Sequence, residues 1–206
     1  MEPVPLARPN NPVDIPLPDA QLTLFRQADL GVDQDELLQQ LISDIPWRAE
    51  DITVFGKTYP QPRLIAWYGD SDAIYTYSGV AHEPLAWSPP LDQLKRRVEA
   101  LAGARFNSVL LNYYRDHRDS MGLHADDEPE LGPEPVIASL SLGAERKLHF
   151  KHKTRRDLAP LNLALPSGSL LIMRGPTQRH WKHGLHKLRR ACGPRVNLTF
   201  RLVDHG

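Results

Sequence analysis

The residues with the most evident chemistry are His124 and Asp126, two positions apart in residues 122–131, GLHADDEPEL. On an extended segment, side chains two apart project to the same side, so an imidazole and a carboxylate point at one place. They supply two thirds of a 2-His-1-carboxylate triad, which occupies one face of an octahedral metal and leaves the other open. An ordinary surface turn is the alternative interpretation of this pair alone.

A second histidine is needed to complete such a triad. Residues 179–186, RHWKHGLH, offer His180, His183 and His186, and spacing alone does not choose among them. Zinc is the competing metal, because two histidines and an aspartate also hold zinc with a catalytic water in hydrolases.

The last strand-like segment, residues 195–203 (RVNLTFRLV), helps to separate these alternatives. Its apolar side chains alternate with polar ones, so Arg195, Asn197, Thr199 and Arg201 share one face, which is either exposed to solvent or lines a cavity. Two guanidinium groups on one strand face suit the two ends of a small dicarboxylate. A hydrolase has no evident use for that pair, whereas an iron oxygenase with a 2-oxo-acid cosubstrate does.

Asn112 and Tyr114 also share one face at the end of a strand-like segment, residues 106–114. Their hydrogen-bonding groups suit a polar ligand, and a capped strand end is the alternative.

Helices are predicted in the first half of the chain and strands in the second. Asp33 with Glu36 is typical of a helix start before Pro46, and a second helix is expected between Ser88 and Gly103. Strand-like segments are residues 106–114, 136–143, 146–153, 161–166, 169–173 and 195–203. This order favours an α+β fold with a largely antiparallel sheet assembly such as a jelly roll.

Composition sets the outer bounds. The 206 residues favour one domain, and six prolines in the first 18 residues predict a flexible arm over residues 1–20, before a single catalytic domain over residues 21–206. The net charge is zero but polarised, −7 over residues 1–103 and +7 over residues 104–206. The single cysteine, Cys192, and the lack of an apolar run of ~20 residues favour a soluble intracellular protein, cytoplasmic in a bacterium or nuclear in a eukaryote.

Several ordered motifs together give a more specific indication. VFGK, WYGD, YTYSG, NYY, GLHADDE, IASLSLG, HWKHGL and PRVNLTFR occur in this order between about residues 51 and 203. In this the chain resembles the AlkB family of iron(II)- and 2-oxoglutarate-dependent dioxygenases, and most closely its duplex-DNA-acting type. The resemblance implies a double-stranded β-helix (jelly-roll) core over about residues 104–203, with a nucleotide-recognition lid over about residues 51–90.

The resemblance also assigns roles to residues. It implies that His124, Asp126 and His183 bind Fe(II), the last because the family's histidine follows a tryptophan by two. Arg195, Asn197, Asn112 and Tyr114 would line the 2-oxoglutarate site, with Arg195 at the distal carboxylate and Arg201 near the iron-bound one. O2 would be the oxidant, and the products succinate, carbon dioxide, an aldehyde and a repaired base such as adenine or cytosine.

For the base itself, the resemblance points to a second group of residues. Tyr77 and His124 would sandwich an extruded base, Tyr75 and Ser78 would lie beside it, and Glu128 would accept a hydrogen bond from its exocyclic amine. Phe55, within VFGK, would wedge into the duplex, and a packed hairpin turn is the alternative.

The expected partner is alkylated DNA, single- or double-stranded, or RNA, with no protein partner inferred and no membrane. Lys151, Lys153, Arg155 and Arg156 would follow phosphates, unless they form a solvated basic loop. An RNA or tRNA demethylase or hydroxylase, and a catalytically silent nucleic-acid-binding protein, are the alternative functions.

Overall fold

The computed structural model describes residues 11–54, 57–73, 75–77 and 80–204. Its elements, in chain order, are strand β1 (Pro12–Ile15), β2 (Gln21–Phe25), helix α1 (Gln34–Asp44), β3 (Arg48–Val54), β4 (Lys57–Gly69), β5 (Tyr75–Tyr77), β6 (Val80–His82), α2 (Pro89–Ala102), β7 (Ser108–Tyr114), β8 (Met121–His124), β9 (Ile137–Gly143), β10 (Arg146–His152), β11 (Leu161–Leu165), β12 (Ser169–Arg174), α3 (Thr177–His180), β13 (Trp181–Leu185) and β14 (Arg195–Arg201). A single 3-10 turn, Pro129–Leu131, follows β8.

The strands form two facing sheets and a small hairpin. The major sheet has the order β1-β2-β12-β9-β14-β7-β4-β3, the minor sheet β11-β10-β13-β8, and β5 pairs only with β6. The pairings between these strands are antiparallel. Four central strands of the major sheet, β12, β9, β14 and β7, therefore oppose the four of the minor sheet, which confirms the predicted α+β class with a jelly-roll core.

The two predicted helices cover the outer face of the major sheet. The Asp33 carboxylate accepts from the backbone N–H groups of Asp35 and Glu36 and caps α1, while Gly103 ends α2 in the left-handed conformation that glycine tolerates. Their leucine stripes bury against Val196, Leu198 and Phe200 of β14. The apolar face of β14 thus packs on helices, and its polar face turns toward the minor sheet.

The described part of the arm expected over residues 1–20 contains a strand. Residues Pro12–Ile15 form β1, an edge strand paired with β2, and the Thr23 hydroxyl donates to Asp14 Oδ1 across the pair. Ile15 and Leu17 pack on the cluster between the two sheets. Proline at the start of an edge strand leaves no ladder donor missing, so the proline content did not prevent pairing.

Within the described part of the chain, no helix has the length and apolar character that crossing a membrane requires.

Candidate metal centre and its two cavities

Three side chains meet between the two sheets at the open end of the minor sheet. One ligand atom from each of His124, Asp126 and His183 lies within 4.8 Å of the others. His183 Nε2 is 3.6 Å from Asp126 Oδ2, and the two imidazole centroids are 4.4 Å apart. The structure therefore brings together the three residues that the resemblance assigned to iron.

Strand pairing positions the two histidines. His124 ends β8 and His183 lies in β13, and the two are direct cross-strand partners, beside a register irregularity that separates His183 from Leu185. Gly184 makes this possible, because a Cβ there would lie 2.9 Å from the carbonyl oxygens of Met121 and Gly122. A side chain at this position would push β8 away and separate the histidines.

The electrostatics keep Asp126 and His183 in the protonation states that a metal needs. Burial raises the pKa of the Asp126 carboxyl, but the charges of Arg201 and the two histidines outweigh it and the pKa falls to about 2. Arg201 Nη2 donates to Asp126 Oδ1 at 2.5 Å. Burial lowers the pKa of His183 to about 3, so its imidazole is neutral at pH 7.

The tautomer of His124 follows from its neighbour. Its Nδ1 lies 3.0 Å from the Gly122 carbonyl oxygen. Because a carbonyl only accepts, Nδ1 carries the hydrogen and Nε2 keeps the lone pair that coordinates a metal.

Gln178 supports the centre and was not predicted from the sequence. It lies in α3, is 1% exposed, and its Oε1 accepts from the backbone N–H of Asp126 at 3.0 Å. Its Nε2 lies 3.4 Å from Met173 Sδ. The element before β13 thereby holds the segment that carries the carboxylate ligand.

A first cavity opens from the metal centre toward β14 and carries a buried cation. Arg195 is 2% exposed, its Nη2 donates to Ser141 Oγ at 2.9 Å, and its guanidinium carbon lies 5.2 Å from the centre of the Tyr114 ring. Burial lowers the pKa of Arg195 to about 10, which leaves it charged at pH 7. In the part of the chain that the structure describes, no carboxylate forms an ion pair with it, so its charge suits an anionic ligand.

The other polar groups of this first cavity are mostly paired with one another. Asn197 Nδ2 donates to Ser139 Oγ and to the Leu140 carbonyl, and Thr199 Oγ1 donates to Asn197 Oδ1. Asn112 Oδ1 accepts from Arg63 Nε at 2.8 Å. The cavity wall is thus fixed before any ligand enters.

A second cavity lies on the other side of the same ligands, against β3 and β4. Met121, His124, Asp126 and Arg201 line both cavities. The second one also contains Glu128, whereas the first contains Arg195. A molecule in either cavity therefore lies beside the metal ligands.

The residues fit the metal and cosubstrate that the resemblance implies. Asp126 Oδ2 and His183 Nδ1 are buried and have no hydrogen-bond partner among the described residues, and two imidazoles with a carboxylate match an iron(II) facial triad. The buried charge of Arg195 fits the distal carboxylate of a 2-oxo diacid.

The remaining predicted site residues have different outcomes. His180 and His186 do not join the cluster, because the ring of His180 faces that of His152 and the ring of His186 faces that of His149. Phe55 and Ser78 lie outside the described residues. Tyr75 and Tyr77 belong to β5, which pairs with β6, and their side chains are outside what is described.

The basic residues expected to follow phosphates are partly neutralised. Lys153 Nζ is 2.7 Å from Asp127 Oδ2, and Arg155 forms ion pairs with Asp157 and Asp19. Lys151 and Arg156 are exposed.

Sequence reasoning also missed the polar partners on neighbouring strands. Ser139 and Ser141 alternate along β9 and face Asn197 and Arg195 across the pairing with β14. The sequence did contain a signal for these two serines, because small polar residues that alternate within an otherwise apolar strand indicate a polar face inside the fold. Gln178 carried no such signal, because its contact depends on how α3 meets the segment after β8.

Comparison with known proteins places this geometry among characterised folds. The model of the "2OG-Fe(II) oxygenase superfamily" matches residues 23–201. "Alpha-ketoglutarate-dependent dioxygenase alkB homolog 3" of Mus musculus is 45% identical over 177 residues, which is 82% of this chain and 61% of that protein. "DNA oxidative demethylase ALKBH2" of Homo sapiens is 41% identical over 178 residues, 82% of this chain and 68% of that protein.

The chain spans about three fifths of the length of the alkB homolog 3 proteins that it matches. Among solved structures, OsALKBH1 superposes with a TM-score of 0.60 at 18% identity, covering 92% of this chain and all of that one. An oxidoreductase of the 2OG-Fe(II) oxygenase family from Burkholderia pseudomallei gives 0.57 at 16% identity, covering 90% and 86%. At these identities the two structures support the fold alone.

Proposed function

The chain belongs to the AlkB family of the 2OG-Fe(II) oxygenase superfamily, and we propose that it oxidatively removes alkyl groups from ring nitrogens of bases in DNA. Its substrates on this proposal are lesions of the 1-methyladenine and 3-methylcytosine type. It uses Fe(II), O2 and 2-oxoglutarate, and it releases an aldehyde, succinate and carbon dioxide.

One observation carries the proposal: two cavities of different chemistry meet at His124 and Asp126, two of the three proposed metal ligands. The first cavity has a buried guanidinium for a dicarboxylate, and the second has a carboxylate, Glu128, for a basic or amine-bearing group. A single-substrate hydrolase has no use for this division, whereas an oxygenase must hold a cosubstrate and a substrate on either side of its metal.

When bound, iron with 2-oxoglutarate supplies the activation of O2 that oxidises the alkyl carbon. The protein's own residues bind and orient. Arg195 holds the distal carboxylate of the cosubstrate, with the Tyr114 ring against the guanidinium. Arg201 fixes Asp126 Oδ1, so that the carboxylate presents its other oxygen to the metal.

The second cavity receives the base. A base within a duplex cannot reach a buried metal, so the enzyme takes it from a single strand or extrudes it. Glu128 accepts a hydrogen bond from the exocyclic amine that adenine and cytosine both carry. The alkyl group on the adjacent ring nitrogen is then directed at the metal.

Phe55 is proposed as the duplex wedge, by the resemblance of VFGK to the family's finger motif. We expect Phe55→Ala to lower repair of a lesion in duplex DNA more than repair of the same lesion in a single strand. Equal losses on the two substrates would remove this assignment.

The proposal is tested by incubating the protein with iron(II), 2-oxoglutarate and an oligonucleotide that carries one methylated base. Succinate and formaldehyde should appear in equal amounts, one of each for every methyl group removed. Formaldehyde should not appear when the oligonucleotide is unmethylated. The same lesion in RNA is the matched second arm, and faster turnover there would move the substrate class to RNA. Absence of both products under oxygen would favour a silent binding protein.

A further inference from the structure

Strand β4 presents one face to the second cavity. Side chains alternate along a strand, and Gln61, Arg63, Ile65 and Trp67 all line that cavity. The two nearer the start of β4 are polar and the two that follow are apolar. Gln61 and Arg63 therefore form a polar patch on a wall that the proposed mechanism has not used.

The side chain of Gln61 is buried without a partner. It is 3% exposed, and neither Nε2 nor Oε1 has a hydrogen-bond partner among the described residues. A buried amide without partners costs free energy in the folded protein, and an apolar residue of the same size would not incur that cost. Such a group is typical of a site that completes its hydrogen bonds with a ligand.

Arg63 is a buried cation whose side chain makes one hydrogen bond with the described residues. It is 6% exposed and its Nε donates to Asn112 Oδ1 at 2.8 Å. It belongs to no ion pair within the part of the chain that the structure describes. Its remaining N–H groups require acceptors, which a guanidinium cannot supply for itself.

We propose that Gln61 and Arg63 bind the carbonyl oxygen of an alkylated pyrimidine and so make the protein prefer 3-methylcytosine to 1-methyladenine. This inference rests on the proposed function and names the base class for the same site. Both side chains offer N–H donors, so the group they recognise is an acceptor. The acidic cosubstrate does not compete for them, because Arg195 in the other cavity binds its distal carboxylate.

The two lesions differ in one of the groups beside the methylated ring nitrogen. In 3-methylcytosine the methylated N3 stands between an exocyclic amine and a carbonyl oxygen, O2. In 1-methyladenine the methylated N1 stands between an exocyclic amine and a C2–H group, which accepts nothing. Glu128 is satisfied by either amine, whereas only the cytosine lesion offers an acceptor to the pair on β4.

The decisive variant is Gln61→Leu, measured as kcat/KM on single-stranded oligonucleotides with either lesion. We expect the value for 3-methylcytosine to fall about tenfold and the ratio of 3-methylcytosine to 1-methyladenine to fall at least about fivefold. Gln39→Leu, an exposed glutamine on α1, is the matched control and should leave both values unchanged.

A stability measurement separates recognition from packing. Because Gln61→Leu removes a buried amide that has no partner, we expect Tm to rise by roughly 2–6 °C. A lower Tm with equal losses on both lesions would mean that Gln61 only supports the fold, and the inference would fail. If the leucine variant does not fold, Gln61→Glu replaces the donor at constant size and must also lower the ratio.

A binding arm keeps this inference distinct from the proposed function. The protein loaded with Mn(II) is titrated into labelled single strands with 3-methylcytosine, 1-methyladenine or no lesion, followed by fluorescence anisotropy. Preference of the wild type for 3-methylcytosine, lost in Gln61→Leu, supports the inference even if no formaldehyde is ever released. Normal turnover with a ratio insensitive to Gln61→Leu overturns the inference and leaves the proposed function standing.

Discussion

The two cavities that meet at the metal ligands differ in how their buried polar groups are satisfied. In the first cavity, which carries Arg195, Asn197 makes hydrogen bonds with Ser139, Leu140 and Thr199. In the cavity against β4, Gln61 has no partner among the described residues and Arg63 has one hydrogen bond. The polar side chains of the first wall hydrogen-bond to one another, whereas those of the second wall have donors and acceptors that a ligand can pair with.

The ligands that we propose for each cavity account for this difference. The proposed cosubstrate is the same in every turnover, so a rigid wall that carries the buried cation Arg195 loses little entropy on binding and gives a fixed orientation. The second cavity, on the proposed function, must distinguish one base from another. Buried groups that stay unpaired unless the base carries an acceptor at the right position give that discrimination, at a cost in stability.

The largest expected effect comes from the metal centre, which both cavities adjoin. His183→Ala removes one metal ligand, and we expect turnover to fall by about a thousandfold or more with metal affinity lowered in parallel. Wild-type protein should gain several degrees in Tm on addition of Mn(II), because only the folded state presents the three ligands, and the variant should gain little. The measurement is a metal titration followed by Tm and succinate release.

His186→Ala is the matched control, since His186 belongs to the same segment but its ring faces His149 rather than the metal. Loss of metal binding in this variant as well would show that the segment, and not the ligand, was damaged.

The next largest effect tests whether the two cavities bind different ligands. Arg195→Met removes the buried cation from the first cavity alone, and we expect KM for 2-oxoglutarate to rise roughly 30- to 100-fold, as for loss of a charge-assisted bidentate contact. The affinity for a methylated oligonucleotide should change little, because Arg195 does not line the other cavity. Initial rates at varied 2-oxoglutarate and anisotropy with DNA measure the two quantities.

Arg189→Met, in the exposed segment before β14, is the control for loss of a positive charge. If Arg195→Met lowered the affinities for DNA and for 2-oxoglutarate equally, the two cavities would act as one site.

A smaller effect tests the support behind the shared ligands. Gln178→Leu leaves the buried N–H of Asp126 without its acceptor, which we expect to cost about 1–3 kcal/mol in the free energy of unfolding and to weaken metal binding roughly tenfold. Gln93→Leu, on the exposed face of α2, should change neither. Unchanged metal affinity in Gln178→Leu would limit Gln178 to packing between α3 and the segment after β8.

These residues also show which features of the site can be predicted from the sequence. Alternation along residues 195–203 predicted which side chains face the cavity, because strand geometry is local, and the ordered motifs predicted the family and its cofactors, which the comparisons confirm. Spacing did not choose among His180, His183 and His186; the pairing of β13 with β8 does. Gln178 acts through a contact with Asp126, which lies far away in the chain, and no local pattern encodes that contact.

The smallest effect lies outside both cavities, on the outer face of the minor sheet. Lys151 of β10 is the direct cross-strand partner of Lys182 of β13, and both are exposed, whereas Lys153 is paired with Asp127. Like charges placed opposite each other attract a phosphate, so Lys151→Ala should lower the slope of log K against log salt by about 0.7–1. Lys153→Ala should lower it less, because Asp127 already neutralises that charge. The loss must be equal for methylated and unmethylated strands, since a phosphate contact does not read the base; a loss confined to methylated DNA would place Lys151 with the base cavity instead.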